Sequence, residues 1–159
     1  MLMCTAQCEK NPPGALAVSA CLAGLCCRYD GLCTGAEDVI AAVGRGEAVP
    51  LCPEQLGGLP TPREPSEIEA GFSGGDVLDG KARVLTASGK DVTACYLRGA
   101  KEALKLCVLI GAKRAILKAN SPSCGCGSIH AGRFDDALTG GDGVTAALLK
   151  RNGILVETK

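Results

Sequence analysis

Short apolar runs separated by turn-forming residues are the main pattern along the chain, and they predict buried β-strands. Four such runs have the length of strands in a packed sheet. They span residues 15–20, 48–52, 115–118 and 154–157. We therefore predict a sheet of at least four short strands.

Apolar residues at helical spacing predict three helices between these strands. The clearest covers residues 93–110, because its apolar positions recur every three or four residues and Gly111 ends the run. Weaker patterns cover residues 36–43 and 143–151. Alternating strands and helices are typical of a single three-layer, Rossmann-like α/β domain with a mostly parallel sheet. The pattern leaves the strand order open.

The domain is expected over residues 14–159, after a flexible leader over residues 1–13. That leader carries Cys4 and Cys8, whose spacing also allows a metal site. Residues 53–65 contain four prolines and are expected to form a long ordered loop or a lid. Residues 82–92 are expected to form a hairpin or an irregular excursion, and residues 120–132 a turn-rich loop.

Composition and charge narrow the class of protein. The 159 residues include 17 basic and 17 acidic side chains. Because the chain has no excess of basic residues, its charge gives no sign of a surface that binds a large nucleic acid. With two Tyr, two Phe and no Trp, the chain has few aromatic side chains on which the bases of single-stranded nucleic acid could stack. No apolar run approaches the roughly 20 residues that span a membrane, and no signal peptide is evident. We expect a cytoplasmic protein without a membrane partner, and leave its oligomeric state open.

Eleven cysteines dominate the chemistry of this chain. Their odd number and the expected reducing compartment argue against a disulfide framework, so ligation of a metal or cluster by a subset is favoured. Cys21, Cys52 and Cys124 each follow a predicted strand. Ligands of open α/β sheets bind outside the carboxyl ends of the strands, so these three thiols are expected to converge. Three thiolates can hold a soft metal centre and leave one position open for a substrate.

Two polar side chains near these cysteines are candidates for acid–base chemistry. Glu54 stands two residues after Cys52 and is a candidate general base. The alternative is a loop carboxylate that pairs with Arg63. Ser121 stands three residues before Cys124 and is a candidate to bond the substrate or relay a proton. Its alternative role is to stabilise a turn.

Two kinds of group are candidates for a substrate phosphate. Arg28 and Arg63 each offer a guanidinium that can bind an anion bidentately, unless they are simply solvated. Gly141 and Gly143 lie at the start of the last predicted helix, where free N–H groups attract anions. The alternative is that these glycines form an ordinary turn.

Other classes of site also stay open on the residues alone. Nearby cysteine pairs allow a closed structural Cys4 site, as in a small metal-binding or sulfur-storage protein without catalysis. These pairs join Cys21 to Cys26 or Cys27, and Cys124 to Cys126. A thiol hydrolase would instead use one cysteine as a nucleophile. The single histidine, His130, excludes zinc sites that need paired histidines, and no nucleophile elbow supports a Ser-His-Asp hydrolase.

Several motifs, in order along residues 15–158, resemble the pattern of the thiouracil desulfidase family. They are Val18-Ser19-Ala20-Cys21-Leu22, Cys27-Arg28-Tyr29-Asp30-Gly31, Cys52-Pro53-Glu54, Gly57-Gly58-Leu59, Pro62-Arg63, Ser121-Pro122-Ser123-Cys124-Gly125 and Gly143-Val144-Thr145-Ala146. Their number and their order make the resemblance specific. It implies a [4Fe–4S] cluster held by Cys21, Cys52 and Cys124 with one open iron. It also implies acid–base or substrate-orienting roles for Glu54 and Ser121.

The resemblance further implies a non-redox desulfidase that converts a thiolated pyrimidine to its oxo form and releases hydrosulfide. Some relatives carry a second domain that is associated with transfer RNA, and this chain shows no such domain. We therefore expect the substrate to be a base of the 4-thiouracil type or its monophosphate. Cys27 also matches the pattern, as a further ligand or a sulfur relay. His130 stands where the family often has Tyr. The remaining departures are cysteines outside the pattern: Cys4, Cys8, Cys26, Cys33 and Cys126.

Overall fold

The structure, a computed structural model, describes residues 14–159. The predicted leader, with Cys4 and Cys8, lies outside the described residues. Within residues 14–159, the strands are β1 (Leu16–Ser19), β2 (Ala48–Leu51), β3 (Ser66–Ile68), β4 (Val84–Thr86), β5 (Arg114–Leu117), β6 (Ser128–His130), β7 (Leu138–Gly140) and β8 (Leu155–Thr158). The helices are α1 (Glu37–Gly44), α2 (Pro53–Leu56), α3 (Gly74–Leu78), α4 (Thr93–Leu109) and α5 (Val144–Arg151).

The central sheet has four parallel strands in the order β2-β1-β5-β8. Leu16 of β1 stands opposite Ala48 of β2 on one side and Arg114 of β5 on the other. After β1 the chain moves outward to β2, whereas after β5 it moves outward in the opposite direction to β8. The connections therefore diverge between β1 and β5, which creates a crevice at the carboxyl ends of these strands.

Helices cover both faces of this sheet and complete three layers. On one face, Ala17 and Ala115 are fully buried against Ala103 of α4 and Leu149 of α5. On the other face, Val18 packs near Val39 of α1. Neighbouring residues of a strand point to opposite faces, so one short apolar run supplies both cores. The predicted three-layer α/β fold with a parallel sheet is confirmed.

A short helix directly after β2 holds one edge of the crevice in place. α2 packs on α4 through Gly57 and Gly99, each of which lies against backbone of the opposing segment. A Cβ on Gly99 would overlap the carbonyl of Pro53, and a Cβ on Gly57 would overlap that of Cys95. Only glycine permits this contact, and it fixes the residues that follow β2.

Three predicted loops contain regular structure. Residues 53–65 begin with α2 and do not form a continuous loop. Residues 82–92 form a hairpin in which Thr86 N–H donates to Lys90 O at 2.9 Å, and β4 also pairs with β3. Residues 120–132 include β6, which pairs with the unpredicted β7. These strands are only three residues long, too short for a periodic signal. No helix within residues 14–159 has the length and apolar character needed to cross a membrane.

Candidate active site

A cavity of about 540 Å³ opens at the carboxyl ends of β1, β2 and β5. Its wall includes the side chains of Cys21, Cys27, Cys52 and Cys124. Glu54 also lines it. The three cysteines expected to converge are therefore brought together, and a fourth thiol joins them.

Cys27 lies between Cys21 and Cys52 and interacts with both. Its hydrogen bonds to these two sulfurs raise the pKa of Cys27 far above its usual range, so Cys27 remains the protonated donor. The same contact lowers the pKa of Cys21 against the opposing effect of burial. It also lowers the pKa of Cys52 to about 7, helped by the Gln55 N–H of α2. Two of the thiols are thus poised to become thiolates, the form that binds metals.

Cys124 reaches the cavity from the loop after β5. Burial raises the pKa of Cys124 to about 12, although the Ser19 hydroxyl opposes this by donating to its sulfur at 3.5 Å. Ser19 also accepts a hydrogen bond from the Lys118 N–H at 2.9 Å. The last residue of β1 therefore connects to the residue after β5 and to Cys124. This network joins the two strands at the point where the connections diverge.

The 121–125 loop is positioned by the start of α5. Gly143 N–H donates to Gly125 O at 2.8 Å, and Val144 N–H to Pro122 O at 2.8 Å. Gly143 also lies so close to Ser123 that a Cβ would overlap its carbonyl. The first N–H groups of α5 are therefore occupied by this loop. The phosphate site expected at Gly141 and Gly143 finds no free donor there, and Gly143 instead helps to position Cys124.

Ser121 also contributes to this loop. Its Oγ accepts hydrogen bonds from the N–H groups of Ser123 and Cys124, both at 3.1 Å. This is the turn-stabilising arrangement that the sequence left as an alternative. Ser121 lines the cavity as well, and its own O–H is left to donate there. The two roles are compatible.

Glu54 forms a buried ion pair with Arg63. The Arg63 Nε donates to Glu54 Oε2 at 2.6 Å, and the side chains of Arg63 and Glu54 are only 7% and 13% exposed. Although burial disfavours its charge, Glu54 raises the pKa of Arg63. The remaining donors of Arg63 bind Cys27 O at 3.0 Å, and Pro60 O and Thr61 Oγ1 at 3.1 Å each. Four of the five N–H groups of Arg63 are therefore engaged within the chain, which leaves little capacity for the phosphate expected from the sequence, and the pairing with Glu54 given there as an alternative is present.

Arg28 lies at the mouth of the cavity and pairs with Asp30. Its Nη2 donates to Asp30 Oδ2 at 2.9 Å, and its Nη1 donates to Thr34 Oγ1 at 3.3 Å. The side chains of Arg28 and Asp30 are about 30% and 26% exposed. Arg28 is thus partly committed, and it is more accessible than Arg63.

Three residues that line the cavity are not predicted as site residues from the sequence. Lys118 lines the cavity and forms none of the ion pairs found within residues 14–159. Lys118 directly follows β5, so the strand-end rule that selects the cysteines would also have selected it. Tyr96 is buried beside Glu54, and burial followed by that carboxylate raises its pKa well above the usual value. Its position on the apolar face of α4 looks like ordinary core. Asn120 lines the cavity with a positive φ of 63°, a backbone conformation that sequence does not reveal.

His130 also lines the cavity. Its Nδ1 is buried and finds no hydrogen-bond partner in the part of the chain that the structure describes. A buried nitrogen of this kind is costly unless a ligand or water satisfies it. The wall of the cavity therefore includes a residue with an unsatisfied polar atom.

The remaining cysteines of the possible closed site lie elsewhere. Cys26 is exposed, and Cys126 donates to Val156 O at 3.5 Å beside β8. Neither lines the cavity. Across residues 14–159, no group of three or more Cys, His, Asp or Glu side chains is spaced to hold a single metal ion. The closed Cys4 site is thus not assembled within that range.

The donor set of the cavity fits an iron–sulfur cluster. Cysteine thiolates are the usual ligands of such clusters, and each binds a different iron, so the sulfurs stand further apart than around one ion. Three separate strand ends supply the thiols of this cavity. Lys118 and Arg28 act electrostatically on Cys21 and favour its thiolate.

Fold and site together define an α/β protein with a thiol-lined crevice at the switch point of a parallel sheet. The chain belongs to the 2-thiouracil desulfurase family, whose sequence model matches residues 16–159. The resemblance drawn from the motifs is thereby confirmed.

Two similar proteins extend this comparison. One is the uncharacterized protein YbbK of Bacillus subtilis (strain 168), 50% identical over 139 residues that cover 87% of this chain and 91% of that protein. The other is a solved structure of a [4Fe-4S]-dependent thiouracil desulfidase, TudS (DUF523Vcz). It is 44% identical to this chain, with a TM-score of 0.81, and the match covers 92% of this chain and 91% of that one. The likeness to this solved structure therefore includes both the sequence and the fold.

Proposed function

We propose that this protein is a [4Fe–4S]-dependent desulfidase that converts a thiolated pyrimidine to its oxo form by hydrolysis. The single observation that carries the proposal is the convergence of Cys21, Cys52 and Cys124 with a buried carboxylate on one cavity. Membership of the 2-thiouracil desulfurase family supports the substrate class. The similarity to a [4Fe-4S]-dependent thiouracil desulfidase supports the cofactor.

Cys21, Cys52 and Cys124 would hold the cluster, and the fourth iron would stay open. When bound, the cluster supplies a Lewis-acidic iron with affinity for the soft thiocarbonyl sulfur of the substrate. Cys27 is the fourth thiol of the cavity, and its hydrogen bonds orient Cys21 and Cys52. We assign it this positioning role because it remains the protonated member of the group.

Glu54 would act as the general base. Overall, water replaces the sulfur of the C=S group, giving a carbonyl and hydrosulfide with release of a proton. Glu54 lines the cavity, and Arg63 fixes one of its oxygens, so the carboxylate is held where it can take a proton from that water. The side chain of Glu54 is only 13% exposed, so most of it is shielded from bulk solvent.

Ser121 would orient the base and pass a proton. Its Oγ is fixed by two backbone N–H groups, so its O–H points to a limited set of acceptors. Lys118 and His130 line the same cavity and offer a charge and a polar nitrogen for the rest of the substrate. Because Arg63 and the start of α5 are occupied, Lys118 and Arg28 are the cations left to meet a phosphate.

The volume of the cavity suits either a base or its nucleotide. At about 540 Å³ it lies within the roughly 300–1,000 Å³ of small-molecule sites and exceeds what a pyrimidine ring needs. We therefore propose 4-thiouracil or its nucleoside monophosphate as substrate. Hydrosulfide leaves through the open mouth of the cavity.

The test combines metal analysis with turnover. Protein prepared anaerobically should contain about four iron and four acid-labile sulfide per chain. It should release hydrosulfide from 4-thiouracil or its monophosphate in step with the loss of thiocarbonyl absorbance. Stoichiometric zinc without colour, or a full cluster without hydrosulfide release from either substrate, would contradict the proposal. If the monophosphate is preferred, Lys118→Met should remove that preference while 4-thiouracil turnover persists.

A further inference from the structure

Two exposed cysteines stand next to the cavity without lining it. Cys26 and Cys33 lie in the loop between β1 and α1, and both thiols face solvent. The proposed desulfidase mechanism uses neither of them. Both lie in the loop that also carries Cys21 and Cys27.

The backbone brings these two cysteines together from both ends of the loop. Leu25, before the first cysteine, donates its N–H to Ala20 O at 3.0 Å. Thr34, after the second cysteine, donates its N–H to Cys21 O at 3.0 Å. Both ends of the loop are therefore attached to adjacent peptide groups. The two ends of the loop are thus already held close together before any bond forms between the cysteines.

A tight turn between the cysteines completes the arrangement. Arg28 N–H donates to Leu32 O at 3.3 Å, and Gly31 adopts a positive φ of 75° within the turn. The chain thus reverses direction between the two cysteines. Asp30 accepts the Leu32 N–H at 3.0 Å and stabilises the reversal.

The two thiols interact directly. The hydrogen bond between Cys26 and Cys33 raises the pKa of Cys26, and it is the largest influence on that thiol. Thiols in contact on a preformed turn can close a disulfide without unfolding the loop. Those of Cys21 and Cys124, by contrast, are buried.

We propose that Cys26 and Cys33 form a surface dithiol that exchanges with low-molecular-weight disulfides such as glutathione disulfide. One thiol loses its proton, attacks the glutathione disulfide and releases one glutathione as its thiolate. The second thiol loses its proton and attacks the mixed disulfide, which closes the Cys26–Cys33 bond and releases the second glutathione. The two protein thiols are oxidised, and the oxidant is reduced to two thiols. Both thiols of the pair are exposed, so glutathione disulfide reaches them more readily than the buried thiols of Cys21 and Cys124.

Trypsin separates the two cysteines and makes the bond measurable. Cleavage after Lys10, Arg28 and Arg45 places Cys26 in peptide 11–28 and Cys33 alone in peptide 29–45. The full chain is equilibrated anaerobically with glutathione buffers of increasing oxidised fraction, quenched in acid, alkylated and digested without reductant. We expect a covalently joined pair of these two peptides, and this pair does not include peptide 46–63, whose only cysteine is Cys52.

Single serine variants give the decisive outcome. In Cys26→Ser and Cys33→Ser the joined peptides should disappear, and the remaining thiol should stop at the glutathione mixed disulfide. Cys126→Ser is the matched control and should still form the joined pair. A joined pair that persists in Cys26→Ser would assign the bond to another cysteine and overturn the proposal. So would a wild-type Cys33 that stays alkylated, or carries glutathione without closing the bond. Circular dichroism of the reduced variants checks that each is folded.

Discussion

Loss of the Arg63 guanidinium is expected to destabilise the protein more than any substitution of an exposed ion pair. Arg63→Met removes the partner of Glu54 while roughly keeping the length of the side chain. Glu54 is only 13% exposed, so its carboxylate would stay buried without a counter-charge. Removing one partner of a buried pair typically costs about 3–5 kcal/mol.

The contacts of Arg63 support the upper part of this range. Besides Glu54, the guanidinium satisfies the carbonyls of Cys27 and Pro60 and the hydroxyl of Thr61. All of these acceptors would lose a charged donor at once. With a denaturant dependence of about 2 kcal/mol per M urea, a loss of about 4–5 kcal/mol should lower the unfolding midpoint by roughly 2–2.5 M. The assay is urea unfolding of the metal-free protein followed by circular dichroism.

A double-mutant cycle isolates the pair from the other contacts. Glu54→Gln alone should cost less than Arg63→Met, because Arg63 keeps its neutral acceptors. The double variant should then be more stable than the sum of the single losses implies, which gives a favourable coupling energy of the pair. Arg45→Met is the matched control, since Arg45 and Glu47 are each 58% exposed, and its midpoint should match that of the wild type. A midpoint for Arg63→Met equal to that of Arg45→Met would show that the buried pair does not stabilise the fold.

Three further predictions concern the cavity. Glu54→Gln should keep the iron but lose about 10²- to 10⁴-fold in desulfuration rate, and a rate within about threefold of the wild type would remove Glu54 as the base. Cys21→Ser, Cys52→Ser and Cys124→Ser should each lose iron in anaerobic metal analysis, whereas Cys107→Ala, on the buried face of α4, should retain it; the reverse pattern would refute the ligand assignment. In the metal-free protein, iodoacetamide alkylation of Cys52 can be followed on peptide 46–63. Because the pKa of Cys52 is lowered to about 7, the alkylation rate should rise with pH and reach half its maximum near pH 7. A midpoint above pH 8 would contradict the lowered pKa.

The layered architecture and most of the thiol site can be predicted from the amino-acid pattern alone. The apolar runs predict the strands now numbered β1, β2, β5 and β8, and helical periodicity predicts α1, α4 and α5. Strand ends are marked by the change from apolar to turn-forming residues, so the cysteines after them could be located without knowing the strand order. Parallel strands bring their carboxyl ends to one edge, and convergence of the thiols follows from that alone.

The pairing of the polar groups around these thiols becomes visible only in the folded protein. Arg63 and Glu54 are nine residues apart, and nothing in their spacing shows whether the guanidinium faces a carboxylate or an open phosphate site. The start of α5 looks like an anion site in sequence, yet the 122–125 loop occupies its N–H groups. Pairing of this kind depends on which segments fold against each other, and local patterns carry no information about that contact. The strand order β2-β1-β5-β8, which places Ser19 and Lys118 beside Cys124, was undetermined for the same reason.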